Sequence, residues 1–343
     1  MKRIYLMFVV SVWSLFSFGQ AKPSYTQYIL NNYILNPALT GIENYTDIKL
    51  SYRNQWTGIP GAPVTTYFTI HAPIHKEDMR SSPTSFAPQG INPRGKQFWD
   101  EYTAPAPHHG IGFTALNDRA GYINRWSIYA SYAYHLPLGP KTTLAAGFNG
   151  GISSVYLDRA KIDFASLDPN DPAIGYANSE IKKVKPELGA GLWLYSNKYF
   201  AGISVLNIIP GKAKFVANDK YGTSFTPNFF LTAGFRTMLN SDLNLIPSVM
   251  IQYWQPQLMG AHINVKMQYL DQIWVGASYR ISDYLSGYSA MAGVNISNTF
   301  NVSYAYEVAT TSRLRNYTGN THEIMVGFIL GNKFGDTCPR NVW

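Results

Sequence analysis

The sequence holds a single cysteine, Cys338. That excludes an internal disulfide. With no activating base close by in the sequence, a free thiol is a plainer reading than a nucleophile. Charge is also scarce: Asp, Glu, Lys and Arg make up 14% of the chain, against about 25% in ordinary soluble domains. The net charge of +8 is scattered, with no basic stripe, so no nucleic-acid partner is expected. Beyond the first twenty or so residues no apolar run approaches the roughly 18 residues of a spanning helix. No Gly-x-Ser-x-Gly elbow flags a nucleophile, so an enzyme is not expected. Metal ligands are no better represented. His108 and His109 are adjacent, and adjacent strand side chains point to opposite faces. His322-Glu323 lacks further ligands, and Asp168 with Asp171 lacks the spaced ladder of a calcium loop. No cofactor is expected.

What the chain does have begins with Lys2 and Arg3, followed by an apolar core over 4–18. With cleavage after Gly19 or Ala21, residues 1–21 read as a secretory signal peptide. Residues 22–44 are apolar and aromatic without clean alternation. They read as a pre-barrel segment that folds against the barrel mouth or plugs the lumen.

From there the sequence alternates. In 261–269, Ile263, Val265, Met267 and Tyr269 alternate with His262, Asn264, Lys266 and Gln268. The same period recurs in 273–280, 288–296, 300–308 and 323–330. Period two means strands with one apolar and one polar face. A soluble sandwich and a membrane barrel both satisfy it. Tyr, Phe and Trp near the strand ends of the apolar face suit an interfacial girdle, and Gly, Ser, Asn and isolated charges on the other face suit a wet lumen. Earlier strands are expected at 46–53, 64–71, 110–116, 124–135, 142–156, 185–195, 199–206, 227–237 and 243–254, the last with a bulge at Pro247.

The expected fold is therefore all-β: a transmembrane antiparallel β-barrel of about 14 strands over 45–331, with an N-terminal pre-barrel segment. Residues 73–107 form an irregular insert and 332–343 a periplasmic tail. Connections after even strands are mostly short and those after odd strands mostly longer, which puts both chain ends in the periplasm and the long loops outside. Asp47, Lys49, Arg53, Lys266, Arg280 and Glu307 are expected to face the lumen, as ion pairs holding plug to wall or as a selectivity ring.

The run Tyr-Thr-Gln-Tyr-Ile-Leu-Asn-Asn-Tyr-Ile-Leu-Asn-Pro-Ala-Leu-Thr-Gly at 25–41 resembles the N-terminal signature of the PorP/SprF family of type IX secretion outer-membrane proteins. The resemblance continues through Ser-Tyr-Arg-Asn-Gln-Trp at 51–56, Gly-Ile-Pro-Gly-Ala-Pro-Val-Thr at 58–65 and Asn-Asp-Arg-Ala-Gly at 117–121. It closes with Thr-His-Glu-Ile at 321–324 and Cys-Pro-Arg at 338–340. It implies a protein of the Gram-negative outer membrane, part of the secretion and gliding machinery, with no catalytic residues to carry over. The partners it implies are the C-terminal domain of a secreted adhesin and periplasmic secretion lipoproteins, besides the outer-membrane lipid.

The expected function is export or surface anchoring of such an adhesin, with contacts from the loops 157–182, 207–226 and 309–320. Tyr176, Phe215, Tyr221, Arg313, Arg315 and Tyr317 are the candidate anchors there. The alternative is a passive outer-membrane pore for small solutes.

Overall fold

The structure, a computed structural model, describes residues 25–76, 102–158, 182–213, 223–240, 242–254, 258–270, 272–282, 286–297, 299–310 and 319–331. The expected signal peptide, most of the insert and the tail at 332–343 lie outside the described residues.

Fourteen wall strands follow one another along the chain: β1 (Thr46–Asn54), β2 (Val64–Ile74), β3 (His108–Ala120), β4 (Ile123–Gly139), β5 (Thr142–Leu157), β6 (Lys182–Tyr195), β7 (Tyr199–Leu206), β8 (Asn228–Phe235, resuming at Thr237–Met238), β9 (Leu243–Trp254), β10 (Leu258–Tyr269), β11 (Ile273–Ser282), β12 (Gly287–Asn295), β13 (Phe300–Ala309) and β14 (Thr321–Leu330). Each pairs antiparallel with the next. β14 then pairs with β1, from Thr46 opposite Leu330 to Asn54 opposite His322, and the sheet closes. Closure is what lipid demands, since an unpaired strand edge there has no water to satisfy its N–H and C=O groups.

The period-two pattern decides which face meets lipid. Along β10, Ile263, Val265, Met267 and Tyr269 are exposed, while His262, Asn264, Lys266 and Gln268 are buried. Leu50 and Tyr52 on β1, and Ile324, Phe328 and Leu330 on β14, continue the same outer face. The inner face is less polar than expected. Tyr67, Trp193, Phe230, Met250, Trp274, Met291 and Met325 all point inward and are buried. They belong to two apolar clusters built jointly with the N-terminal segment. The interior is thus in good part a packed core rather than a wet lumen.

We call the end holding the start of β1 and the close of β14 the termini end, and the opposite end the loop end. Turns at the termini end are short, as expected, except the connection from β2 to β3, which falls at this end and carries the long insert. Three loop-end connections, β3–β4, β9–β10 and β11–β12, are short as well, because β3, β4, β10 and β11 run further than their alternation suggests. β3 and β4 are joined through only Gly121 and Tyr122, with Ala120 opposite Ile123, and β9 and β10 meet with Trp254 opposite Leu258. β2 likewise continues through Pro73 and Ile74, so the insert begins later than expected.

Pro247 makes no bulge. It stands opposite Val265 with β9–β10 register unbroken. On its other side β8 is interrupted at Arg236, yet the pairing Gly234–Ser248 and Thr237–Leu245 keeps one register. A proline has no N–H to give, so the ladder skips a rung there instead of gaining a residue.

Candidate functional site

Residues 25–44 run down the inside of the barrel. They form three short 3-10 turns, Tyr28–Leu30, Asn32–Ile34 and Pro37–Leu39. The third starts with a side-chain cap, Asn36 Oδ1 accepting from the Ala38 N–H, and with Pro37 at the first position, where no N–H is needed. A segment buried on every side shows neither helical nor strand periodicity. It is a plug.

The plug is hydrogen-bonded all round the wall. Near the loop end the Thr26 N–H donates to Glu323 Oε2 at 2.8 Å, and its hydroxyl donates to Glu307 Oε2 at 2.7 Å. Gln27 Nε2 donates to the Glu323 carbonyl, and Ser303 Oγ donates to Gln27 Oε1. Asn31 donates to Thr69 on β2, and Asn264 on β10 donates to the Tyr28 hydroxyl. Asn36 Nδ2 reaches Leu192 O on β6 at 3.0 Å and Ile203 O on β7 at 3.3 Å. Near the termini end His135 Nε2 donates to Thr40 O at 2.8 Å, leaving its Nδ1 to accept from the Tyr195 hydroxyl. The Gly41 N–H donates to His71 Nδ1 at 3.2 Å.

Two wall glycines make room for this chain. Gly41 has φ +74 and lies against Gly110, where a Cβ would fall 1.9 Å from Thr40 O. A Cβ on Gly147 would meet the backbone of Pro37 and Ala38. Any side chain at these wall positions displaces plug backbone, not a flexible side-chain tip. Burial also pushes the phenols of Tyr25, Tyr28 and Tyr33 up from their ordinary value, so all three stay protonated.

All six charged residues expected to face the lumen are buried on the inner face. The structure gathers three of them. Glu307 Oε2 accepts from Arg280 Nη2 at 2.5 Å and from Arg53 Nη2 at 3.2 Å. Glu323 stands 3.7 Å from Arg53 Nε and completes a balanced set of two guanidiniums and two carboxylates. Asp47 and Lys49 pair separately, with His71 Nε2 3.6 Å from Asp47. Lys266 also faces inward.

Sequence reasoning weighed Glu323 only as a partner of His322 for a metal. In the structure the two point to opposite faces: Glu323 is inside, and His322 Nδ1 meets the Tyr304 hydroxyl at 2.6 Å. His108 and His109 diverge likewise, His108 stacked on His135 inside and His109 on the Tyr132 hydroxyl. Among the described residues no three His, Cys, Asp or Glu side chains gather as metal ligands. Asp168, Asp171 and the six loop anchors Tyr176, Phe215, Tyr221, Arg313, Arg315 and Tyr317 lie outside the described residues. Sequence reasoning missed Thr26, Gln27, Asn36, His71 and His135, whose signal was only their place in or against the pre-barrel run.

Cavities remain beside the plug. One cavity of about 80 Å³ lies toward the loop end, between Tyr25 and Tyr28 of the plug and Arg125, Glu187, Phe230 and Met250 of the wall. A second, of about 20 Å³, lies between Asn31 and Asn32 of the plug and Asp47 of the wall.

Several solved structures are similar in fold. The Acinetobacter baumannii outer membrane protein Omp33 aligns at 8% identity over 85% of this chain and 100% of its own, with a TM-score of 0.46. The Ralstonia pickettii toluene transporter TbuX aligns at 11% identity over 88% of this chain and 92% of its own, TM-score 0.43. The CymD monoaromatic hydrocarbon channel aligns at 12% identity over 91% and 93%, TM-score 0.44. No curated protein matches the sequence. The profile of one family, described as "Type IX secretion system membrane protein PorP/SprF", matches residues 17–328. The chain belongs to the PorP/SprF family of type IX secretion system membrane proteins, and its closed barrel is that of a Gram-negative outer-membrane protein.

Proposed function

We propose that this barrel is a plugged, non-enzymatic docking body of the type IX secretion machinery. It holds a secreted adhesin through the adhesin's C-terminal domain at the loop end, outside the cell. Its termini end, with the plug's exit and the short turns, faces periplasmic secretion lipoproteins.

The observation that carries this reading is the plug. Its hydrogen bonds reach strands on every side of the wall, and buried ion pairs clamp its start. A body braced in this way bears load without changing shape. A conduit for solutes needs a continuous aqueous path, and the cavities of about 80 and 20 Å³ beside the plug are room for a few waters and for about one. That weighs against the passive-pore alternative.

The test is affinity purification of the tagged barrel from native outer membranes in mild detergent, together with planar-bilayer recording of the purified protein. A surface adhesin and periplasmic lipoproteins in the eluate, with a silent bilayer, support the docking reading. Neither partner in the eluate, with steady ohmic current, replaces it with the pore.

A further inference from the structure

Two stretches that carry the family resemblance make no hydrogen bond to the plug among the described residues. Residues 58–65 belong to the β1–β2 loop and the start of β2. Residues 117–121 belong to the end of β3 and its turn. In the fold they meet at the loop end and line one concavity of about 360 Å³. That is within the range of small-ligand sites, about 300–1,000 Å³.

The concavity is built of fixed backbone. The Gly121 N–H donates to Gly61 O at 2.8 Å, tying the β3–β4 turn to the β1–β2 loop. Both the N–H and the hydroxyl of Thr57 donate to Asn320 O at 3.0 Å, tying that loop to the start of β14. Gln55 N–H closes the loop's base on Pro63 O at 2.9 Å. Trp56 sits at φ 56, a left-handed conformation that a bulky residue rarely adopts, and Gly58 and Gly61 also have positive φ. Three connections thus hold one another in place before any ligand arrives.

The lining has three kinds of surface. Ile59, Ala62 and Val64 are apolar. Asn54 and Thr57 offer polar side chains beside exposed glycine backbone. Arg119 brings the only charge in the lining. Among the described residues the Arg119 side chain makes no hydrogen bond or ion pair, and it is exposed. Its neighbour Asp118 does not neutralise it, because that carboxylate is turned inward to accept from Thr65 Oγ1 at 2.7 Å. An unpaired guanidinium over a glycine-rich, partly apolar hollow suits a planar carboxylate on a short peptide.

We propose that this concavity binds a carboxylate-bearing peptide segment of the exported partner. Arg119 takes the carboxylate, and Ile59, Ala62 and Val64 receive a small aliphatic side chain next to it. The inference rests on the docking reading above and names the chemistry of its contact.

The test uses the full barrel in nanodiscs and two probes that differ in one group, acetyl-Val-Asp-Ala amide and acetyl-Val-Asn-Ala amide, titrated by saturation-transfer NMR. The acidic peptide is expected to bind at least about tenfold more tightly than its amide twin. Arg119→Gln is expected to erase that preference, and Ala62→Phe, which fills the hollow, to abolish binding of both. Heat-modifiable gel mobility checks that each variant is folded. Equal binding of the two peptides, no binding of either, or an acid preference that survives Arg119→Gln overturns the proposal. Affinity purification separates this failure from failure of the docking reading. If the Arg119→Gln barrel retains the adhesin as fully as the unmodified barrel does, the site is wrong and docking stands. If the unmodified barrel retains no adhesin, docking itself has failed.

Discussion

Glu307→Gln is the sharpest probe of the clamp between plug and wall. The substitution keeps the shape of the side chain and removes its charge. In the native protein one oxygen of Glu307 accepts from Arg280, Arg53 and Thr26, and the side chains of Glu307 and both arginines are 6% exposed or less. Without the carboxylate, Arg53 still has Glu323 3.7 Å away, so Arg280 bears most of the loss. Breaking a buried ion pair from one side typically costs about 3–5 kcal/mol. We expect about 3 kcal/mol, read as the loss of unfolding free energy in urea for barrels folded into lipid vesicles. Thr26→Val removes one hydrogen bond to a charged group, about 1.5–3 kcal/mol. The two variants share that bond, so together they should cost less than their sum, by at least about 1 kcal/mol. Replacing the pair with Arg280→Leu and Glu307→Leu should restore much of the stability, since an apolar pair carries no desolvation penalty. A Gln variant within about 1 kcal/mol of native, or strict additivity with Thr26→Val, would refute the view that these charges hold the plug.

Gly110→Ala pushes a Cβ to 1.9 Å from Thr40 O, so the plug's exit must shift; ion current in a bilayer where the native protein is silent is the expected readout, and a silent variant of native stability counts against it. Ile263, on the outer face of β10, is half exposed, and Ile263→Arg should cost about 2–4 kcal/mol in vesicles if it lies near the bilayer midplane; a neutral effect would mean that this face does not meet lipid. The plug tyrosines predict a pH dependence. Their folded values are raised by burial, so the stability they contribute is complete below the unfolded value of about 10 and is lost as pH rises above it. Absorbance at about 295 nm should show a late-ionising group of phenols, the plug's among them, that titrates together with unfolding, and early ionisation of all tyrosines would disprove their burial.

The wall was legible because its signal is repeated. Each strand alternates with period two, and errors in one strand do not spread to the next. Boundaries failed where polar residues run on into a turn. Asn117, Asp118 and Arg119 look like a loop in sequence, yet they pair with Trp126, Arg125 and Asn124 across the β3–β4 ladder. The inner face was harder. Trp193 and Trp274 share parity with polar neighbours, so their inward direction could be counted off. Their partners explain how they fit. Trp193 pairs directly with Gly202, and Trp274 with Gly293. A Cβ on either glycine would clash with the indole. A tryptophan on the lumen parity facing a glycine across the ladder is thus a sequence-readable sign of a filled interior. The plug carried no such periodic sign.

That filled interior changes what the charged residues are for. In a water-filled channel a ring of arginines and glutamates acts on passing solutes. Here Arg53, Arg280, Glu307 and Glu323 are out of reach of bulk water, and each carboxylate spends an oxygen on Thr26. Burying four charges gains little net stability, but it fixes register: only one placement of the plug satisfies both carboxylates at once. The apolar clusters around Tyr28, Ile34, Phe230 and Met291 supply the adhesion, being non-directional, while the ion pairs decide where the plug sits. A barrel built this way has a packed, defined interior. The surface left to interact with soluble partners is then at its two ends, and at the loop end the β1–β2 loop and the β3–β4 turn are already locked together.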